Sequence, residues 1–107
     1  MRNFSVQTTA DEQLLTVAVS GESDMACRQE LAAALRAAVA KAPVVAVDLA
    51  GVGFLDSNGL QCLLVAYQEA LAKGKVLYVT GATGSVARVL DLTGVAQLLA
   101  PPTGENQ

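Results

Sequence analysis

The stretch that decides the fold is VVAVDLAGVGFLDSNGLQCLL, residues 44–64. Its first six residues, 44–49, are almost all apolar, which is typical of a central strand buried on both faces of a parallel sheet. Further on, apolar residues recur at helical spacing and predict a helix over residues 58–73. Four small or polar residues stand where strand gives way to helix: Asp56, Ser57, Asn58 and Gly59. The stretch therefore predicts a strand-to-helix unit with a polar turn.

The predicted helix has a clear start, core face and end. Asp56 and Ser57 are both residue types that favour the N-cap position, where a side-chain oxygen accepts from a free backbone N–H. Lys73 and Gly74 predict the end, a cation near the last carbonyl groups followed by a glycine. Before the turn, Gly51 and Gly53 indicate a bend of the chain. The core face is marked by large apolar residues: Leu60, Leu63, Leu64, Tyr67 and Leu71.

The residues before this unit predict a hairpin and a helix. Residues 3–9 and 14–21 read as two strands joined by the turn ADEQ. Asp24 in GESD is the predicted N-cap of a helix over residues 25–41, which ends before Pro43. Its apolar residues recur at every fourth position: Leu31, Leu35 and Val39.

The residues after the unit predict one more strand and a short helix. Residues 75–81 form the strand, residues 85–94 the helix, and residues 95–99 add a turn. Residues 100–107 are polar and predict a flexible tail.

The order β-β-α-β-α-β-α predicts an α/β fold with a mixed four- to five-stranded sheet and helices packed on it. Strands separated by helices favour parallel neighbours joined by right-handed crossovers, and the hairpin adds an antiparallel edge. A length of 107 residues favours a single domain over 1–107, with its core at about residues 4–99.

Composition argues against several classes of partner. The net charge is −3, and the 7 basic residues are scattered rather than grouped in a stripe, so no direct nucleic-acid partner is expected. The chain has no His and only two widely separated cysteines, so no metal site is expected. Cys27 and Cys62 are expected to be small, half-buried thiols in a reducing compartment.

The hydrophobic runs do not indicate membrane insertion. Residues 1–13 have no apolar signal core. The longest apolar stretch, about twelve residues interrupted by Asp48, is too short to cross a bilayer. The expected location is therefore cytoplasmic.

Catalysis by Ser57 lacks a base. No His is present, and Lys73 ends the helix that Ser57 opens, about 24 Å away at 1.5 Å per residue. Lys41 and Lys75 are expected at the same far end of the sheet. The glycine motif GATGSV has no phosphate-binding lysine, and GVGFLD has Asp56 in place of the third glycine of a dinucleotide motif. We therefore expect no catalytic residue, no cofactor and no enzyme.

The turn DSNGL combines a cap with features of a binding site. Gly59 in the first helical turn costs about 1 kcal/mol relative to alanine, and Asn58 is another weak helix former. The turn lies at the carboxyl end of a central parallel strand, where α/β sheets usually place their sites. DSNGL is therefore expected to be both a helix cap and a functional surface.

At these residues the chain resembles a STAS domain, the fold shared by sulphate-transporter tails and anti-sigma factor antagonists (anti-anti-sigma factors). The resemblance covers residues 4–99 and rests on four segments: GESD, VVAVDLAGVGFLDSNGLQCLL, GKVLYVTG and VARVLDLTGV. Short free-standing chains with an intact Asp-Ser pair are most similar to the bacterial anti-sigma factor antagonists.

This resemblance implies a phosphorylation switch. Ser57 would accept phosphate from an anti-sigma factor that is also a serine kinase, and a phosphatase would remove it. Asp56 would orient the serine, and Asp24 would be a second acid near the phosphate. The rest of the partner-binding surface would be Asn58, Gly59 and Leu60. Ser23 and Asn58 differ from the residues usual in the family at these places.

Two other functions stay open at this point. The chain is compatible with an accessory STAS subunit of a membrane transporter, of the lipid ABC or anion type, in which Ser57 would be packed and unmodified. Nucleotide binding by the domain itself is the third alternative, and the missing phosphate loop argues against it.

Overall fold

The structure is a computed structural model that describes residues 5–11, 14–23 and 28–100. The order of elements agrees with the predicted one, with the last turn forming a short separate helix. The elements are β1 (Ser5–Asp11), β2 (Leu14–Ser23), α1 (Arg28–Lys41), β3 (Val44–Leu55), α2 (Ser57–Ala72), β4 (Val76–Thr80), α3 (Gly84–Leu92) and α4 (Val95–Leu98).

The four strands form one mixed sheet in the order β1-β2-β3-β4. β1 is antiparallel to β2, whereas β2, β3 and β4 are mutually parallel neighbours. Because both parallel connections step in the same direction across the sheet, right-handed crossovers place α1 and α2 on one face. The two helices pack against each other there. The predicted fold class and antiparallel edge are confirmed.

The core forms where aligned rows of the sheet meet these helices. One row joins Val17, Val47 and Val79 across β2, β3 and β4, and all three side chains are buried. α1 contributes Leu35 and Val39, which lie on its predicted face. The middle of β3 is buried at consecutive positions, 45–47, as expected of a strand covered on both faces.

β3 continues further than the sequence predicted. It runs to Leu55, while its pairing with β4 ends at the Asp48–Thr80 pair. Its outer half, residues 51–55, pairs with the end of β2 after a shift in register near Ser20. The interpretation of Gly51 as a bend is therefore wrong, because it lies within a strand and has no left-handed backbone angle. Gly53 also lies within the strand, but at a second shift in register, between the pairs Gly21–Val52 and Glu22–Phe54, so a local bend there stays a prediction.

Gly51 has a different reason to be glycine. A Cβ at this position would lie 2.7 Å from Ser20 Cβ and 3.3 Å from Ser20 Cα, so the close approach of β2 at the register shift leaves no room for a side chain. At Gly53, two residues along the same strand, no atom lies within 4 Å of the corresponding Cβ position. The close approach of the two strands therefore selects glycine at residue 51.

The predicted core face of α2 is wrong at Leu71, which is 58% exposed. The buried face is instead made mainly of small residues, and this lets α2 lie close to α1: Gly59, Cys62, Leu63, Ala66 and Ala70. Larger side chains are displaced to the flanks, where Leu60, Leu64 and Tyr67 are half-buried. Size was therefore a misleading guide to burial on this helix.

The remaining boundaries agree with the sequence to within a few residues. α2 begins at Ser57, one residue earlier than predicted, and its end is followed by Gly74 with a φ of 70°. Cys62 is buried, not half-buried. Asp24 and Cys27 lie outside the described residues, as do the first residues of the predicted helix 25–41 and the tail after Ala100.

Replacement of Gly51 by alanine is expected to destabilise the protein by about 1–3 kcal/mol, because the new methyl group overlaps Ser20. Gly53→Ala is the matched control, since the same strand has open space there, and its free energy of unfolding should be unchanged or slightly raised. Urea denaturation of the two variants measures the difference. Equal stability of both would show that the strands do not constrain residue 51.

Candidate functional site

The candidate site is the junction between β3 and α2. Asp56 has an extended backbone, with φ −92° and ψ −178°, and forms the N-cap of α2. Its Oδ1 accepts a hydrogen bond of 2.9 Å from the Gly59 N–H, and its carbonyl oxygen accepts one of 3.0 Å from the Leu60 N–H. The cap satisfies a donor that the first helical turn would otherwise leave without an intrahelical partner.

The residues next to the cap differ in their exposure to solvent. Ser57, the first residue of α2, is exposed, while Asp56 and Asn58 are half-buried. Gly59 is buried, and Leu60 packs against the hydrophobic core. The structure records no hydrogen bond from the Ser57 hydroxyl to any described residue. Of the predicted site residues that the structure describes, Ser57 is thus the one whose reactive group is exposed to solvent.

The end of β2 borders this junction. Ser23, the last residue of β2, pairs with Leu55, the last residue of β3. The predicted second acid, Asp24, lies outside the described residues, so its place near Ser57 stays a prediction. Residues 56–60 are brought together by the turn itself.

Phe54 is a surface residue that the sequence reasoning missed. Its side chain is 51% exposed although it belongs to an apolar strand. The cause is that β4 ends opposite Asp48, so among the described residues no strand lies beside the tip of β3 on that side. Alternation gave no usable sequence signal, because Val52, two residues before Phe54, is buried and a shift in register separates the two.

The start of α3 also borders the tip of β3. The Ser85 hydroxyl donates a hydrogen bond of 3.4 Å to the carbonyl oxygen of Gly53. Ser85 is itself exposed. The tip therefore has exposed hydroxyl groups from the first turns of two helices, α2 and α3.

The lysines lie away from Ser57. The Lys75 ammonium donates a hydrogen bond of 2.5 Å to the carbonyl oxygen of Val39, in the last turn of α1. Lys73 caps the carboxyl end of α2, the end opposite Ser57. Neither lysine is placed to take a proton from the serine.

The described residues show neither a metal-binding cluster nor a membrane-spanning helix. Within residues 5–11, 14–23 and 28–100, no three side chains of the metal-binding types come together in a group that could hold an ion. None of the helices in these ranges is long and apolar enough to cross a membrane.

Comparison with known proteins identifies the family. The profile of the family described as "Mlab, STAS domain" matches residues 6–100. The anti-sigma-B factor antagonist of Staphylococcus epidermidis is 29% identical over 98 residues, which cover 91% of each chain. The crystal structure of an anti-sigma factor antagonist from Mycobacterium paratuberculosis superposes with a TM-score of 0.82, is 31% identical, and covers 95% of this chain and 89% of its own.

The likeness to a further solved structure, at low sequence identity, concerns the fold alone. The Bacillus cell fate determinant SpoIIAA, solved in its phosphorylated form, has a TM-score of 0.71 and 16% identity, with 94% of this chain and 91% of its own covered. The profile match and the Mycobacterium structure show that the chain belongs to the STAS domain family and, within it, to the anti-sigma factor antagonists.

Loss of the cap is expected to weaken the junction. Asp56→Ala should lower the free energy of unfolding by about 1 kcal/mol, because the Gly59 N–H loses its acceptor. Asp56→Asn should be close to neutral, since an asparagine oxygen can accept the same bond. Thermal and urea unfolding measure both variants. Equal losses in the two would mean that the carboxylate charge, and not the cap, stabilises this turn.

Proposed function

We propose that this protein is a partner-switching regulator controlled by phosphorylation of Ser57. In the unphosphorylated state it binds an anti-sigma factor that is also a serine kinase, and a sigma factor is thereby released. Phosphorylation of Ser57 ends this binding, and a phosphatase restores it. The protein acts in the cytoplasm as a regulator and not as an enzyme.

One observation carries this proposal: the Ser57 hydroxyl is exposed at the first position of α2 while its neighbours are occupied in the cap and the core. A serine that served only as a cap would use its side chain to accept from the helix. Here Asp56 performs that role, so the hydroxyl is available to a kinase. The names of the relatives, anti-sigma-B factor antagonist and anti-sigma factor antagonist, support an anti-sigma factor as the partner.

The position of Ser57 suits a phosphate group. A phosphoserine carries about −1.5 to −2 charges at pH 7. The first turn of α2 contains no acidic residue, and a helix N-terminus stabilises an anion by about 0.3–1 kcal/mol. The domain is therefore expected to keep its fold when phosphorylated. The phosphorylated SpoIIAA structure has the same fold, which agrees with this expectation.

A bound partner is affected more strongly than the fold. A new unit charge about 4 Å from a carboxylate of the partner costs roughly 4 kcal/mol at an effective dielectric constant of 20. This energy corresponds to about three decades in affinity. One phosphate can thus release the partner while the domain itself changes little. Asp56, and Asp24 by the same reasoning, would add to the negative charge at this surface.

The serine switch is tested with paired variants as baits in the cell of origin. Ser57→Ala should retain an anti-sigma kinase, and Ser57→Glu should lose it, as identified by mass spectrometry. Ser85→Ala and Ser85→Glu are the matched controls, because Ser85 is another exposed serine in the first turn of a helix. Both control variants should retain the kinase.

The purified kinase with ATP should then place phosphate on Ser57 of the wild-type chain and none on Ser57→Ala. Phosphate confined to other residues would contradict the proposal. If the two Ser57 baits instead retain the same transporter subunits, Ser57 is an ordinary helix residue in a structural subunit and the accessory-subunit alternative is correct.

Phe54 is expected to contribute to partner binding, because exposed aromatic side chains often dominate interface energies. Phe54→Ser should weaken binding of the anti-sigma kinase by about tenfold or more, measured by calorimetry. Leu71→Ser is the control, an exposed apolar residue at the opposite end of α2. An unchanged affinity for Phe54→Ser would remove the tip of β3 from the interface.

A further inference from the structure

A groove lies at the carboxyl end of β4, between α3 and α4, away from the residues of the proposed switch. Its volume is about 570 Å³. Half of the residues that line it are small, and we call it the alanine groove because four of these five are alanine: Gly81, Ala82, Ala87, Ala96 and Ala100. The volume exists because these positions have no side chain beyond Cβ.

The walls of the alanine groove are held in place by the fold. The Val79 N–H donates a hydrogen bond of 2.9 Å to the carbonyl oxygen of Leu99, which ties the residue after α4 to the outer edge of β4. Leu99 and Leu90 are fully buried beneath the groove. The groove is therefore a preformed surface feature, and filling it requires no opening of the core.

One face of α3, beside this groove, carries two charged side chains and one exposed apolar side chain. Arg88 and Asp91 line it, and both are exposed. Leu92 is 78% exposed, the largest exposed fraction among the large apolar side chains of the described residues. It lies four residues after Arg88, so the two share a helix face. Among the described residues, neither Arg88 nor Asp91 forms an ion pair with its own chain.

From this arrangement we infer that the alanine groove binds a second copy of this chain in a two-fold symmetric dimer. Leu92 of each copy enters the groove of the other, so that an exposed leucine fills space lined by alanine. In the same contact Arg88 of each copy faces Asp91 of the other. A two-fold axis requires such self-complementarity, because one surface must supply both halves of every contact.

The charges on the groove favour this occupant over others. A surface for nucleic acid or an anionic membrane would carry positive charge alone, whereas here one guanidinium and one carboxylate balance. A stable interface buries about 800 Å² per partner, which is about an eighth of the 6064 Å² surface of the described chain.

Sedimentation equilibrium of the full 107-residue chain tests the dimer. Between about 1 µM and about 1 mM, the apparent mass should rise from 11.0 kDa toward twice that value. Leu92→Ser should raise the dimer dissociation constant by about tenfold or more, since an apolar anchor is lost. Val65→Ser, which changes an exposed apolar residue on α2, is the control and should leave it unchanged.

Exchanging the charges of Arg88 and Asp91 tests whether the dimer uses this surface. Arg88→Asp alone and Asp91→Arg alone should each weaken the dimer by about tenfold or more, because like charges then face each other. The double variant Arg88→Asp/Asp91→Arg should restore most of the affinity. Both positions are exposed, so circular dichroism should show an unchanged fold for all three variants.

Three results would overturn the dimer. The first is a mass of 11.0 kDa over the whole concentration range. The second is a dimer that Leu71→Ser weakens and Leu92→Ser does not, which would place the interface on another surface. The third is a dimer that forms only after residues 101–107 are removed, which would identify that segment as the occupant of the groove.

Discussion

The short hydrogen bond from the Gly59 N–H to Asp56 Oδ1 is the constraint on which the functional end of the molecule depends. It fixes the point at which an extended strand becomes a helix, and the first helical residue is thereby Ser57. Because Asp56 supplies the cap, the serine side chain is directed to solvent without a structural task. A cap one residue later would use the serine oxygen as the acceptor and remove it from the surface.

Unequal strand lengths produce the exposed surface around this junction. β3 has 12 residues and β4 has 5, so beyond Asp48 no strand of the described residues lies beside β3 on the β4 side. The outer half of β3 pairs with β2 through backbone hydrogen bonds, while its side chains gain less cover than those in the centre. Phe54 is exposed for this reason, and the start of α3 approaches Gly53 at the same place. The strand is therefore buried in its centre and exposed near its tip, although it is one continuous strand.

The sequence predicted the elements and their order because local patterns determine them. The apolar run at 44–49 and the helical spacing after Ser57 each reflect a neighbour that any α/β sheet would supply. The predictions were wrong where the residue type or its burial depends on one specific neighbour in the fold. Gly51 is glycine because of Ser20, about thirty residues away in sequence, and Leu71 is exposed because α2 meets α1 through smaller residues. The exposure of Phe54 depends on where β4 stops, which the residues of β3 do not encode.

Alanine has opposite effects on the two sides of this fold. Between α1 and α2, small residues such as Ala38 and Ala66 let two helices approach closely, and the space that they leave is taken up by the opposite helix. Between α3 and α4, the same residue type faces no further element among the described residues, so the space stays open as a groove. Small side chains bury apolar surface only when a partner comes close, because attraction between apolar groups requires contact. On the α1–α2 side the chain supplies that partner itself. On the α3–α4 side the described residues place a leucine, an arginine and an aspartate at the surface, where we infer that a second copy of the chain binds.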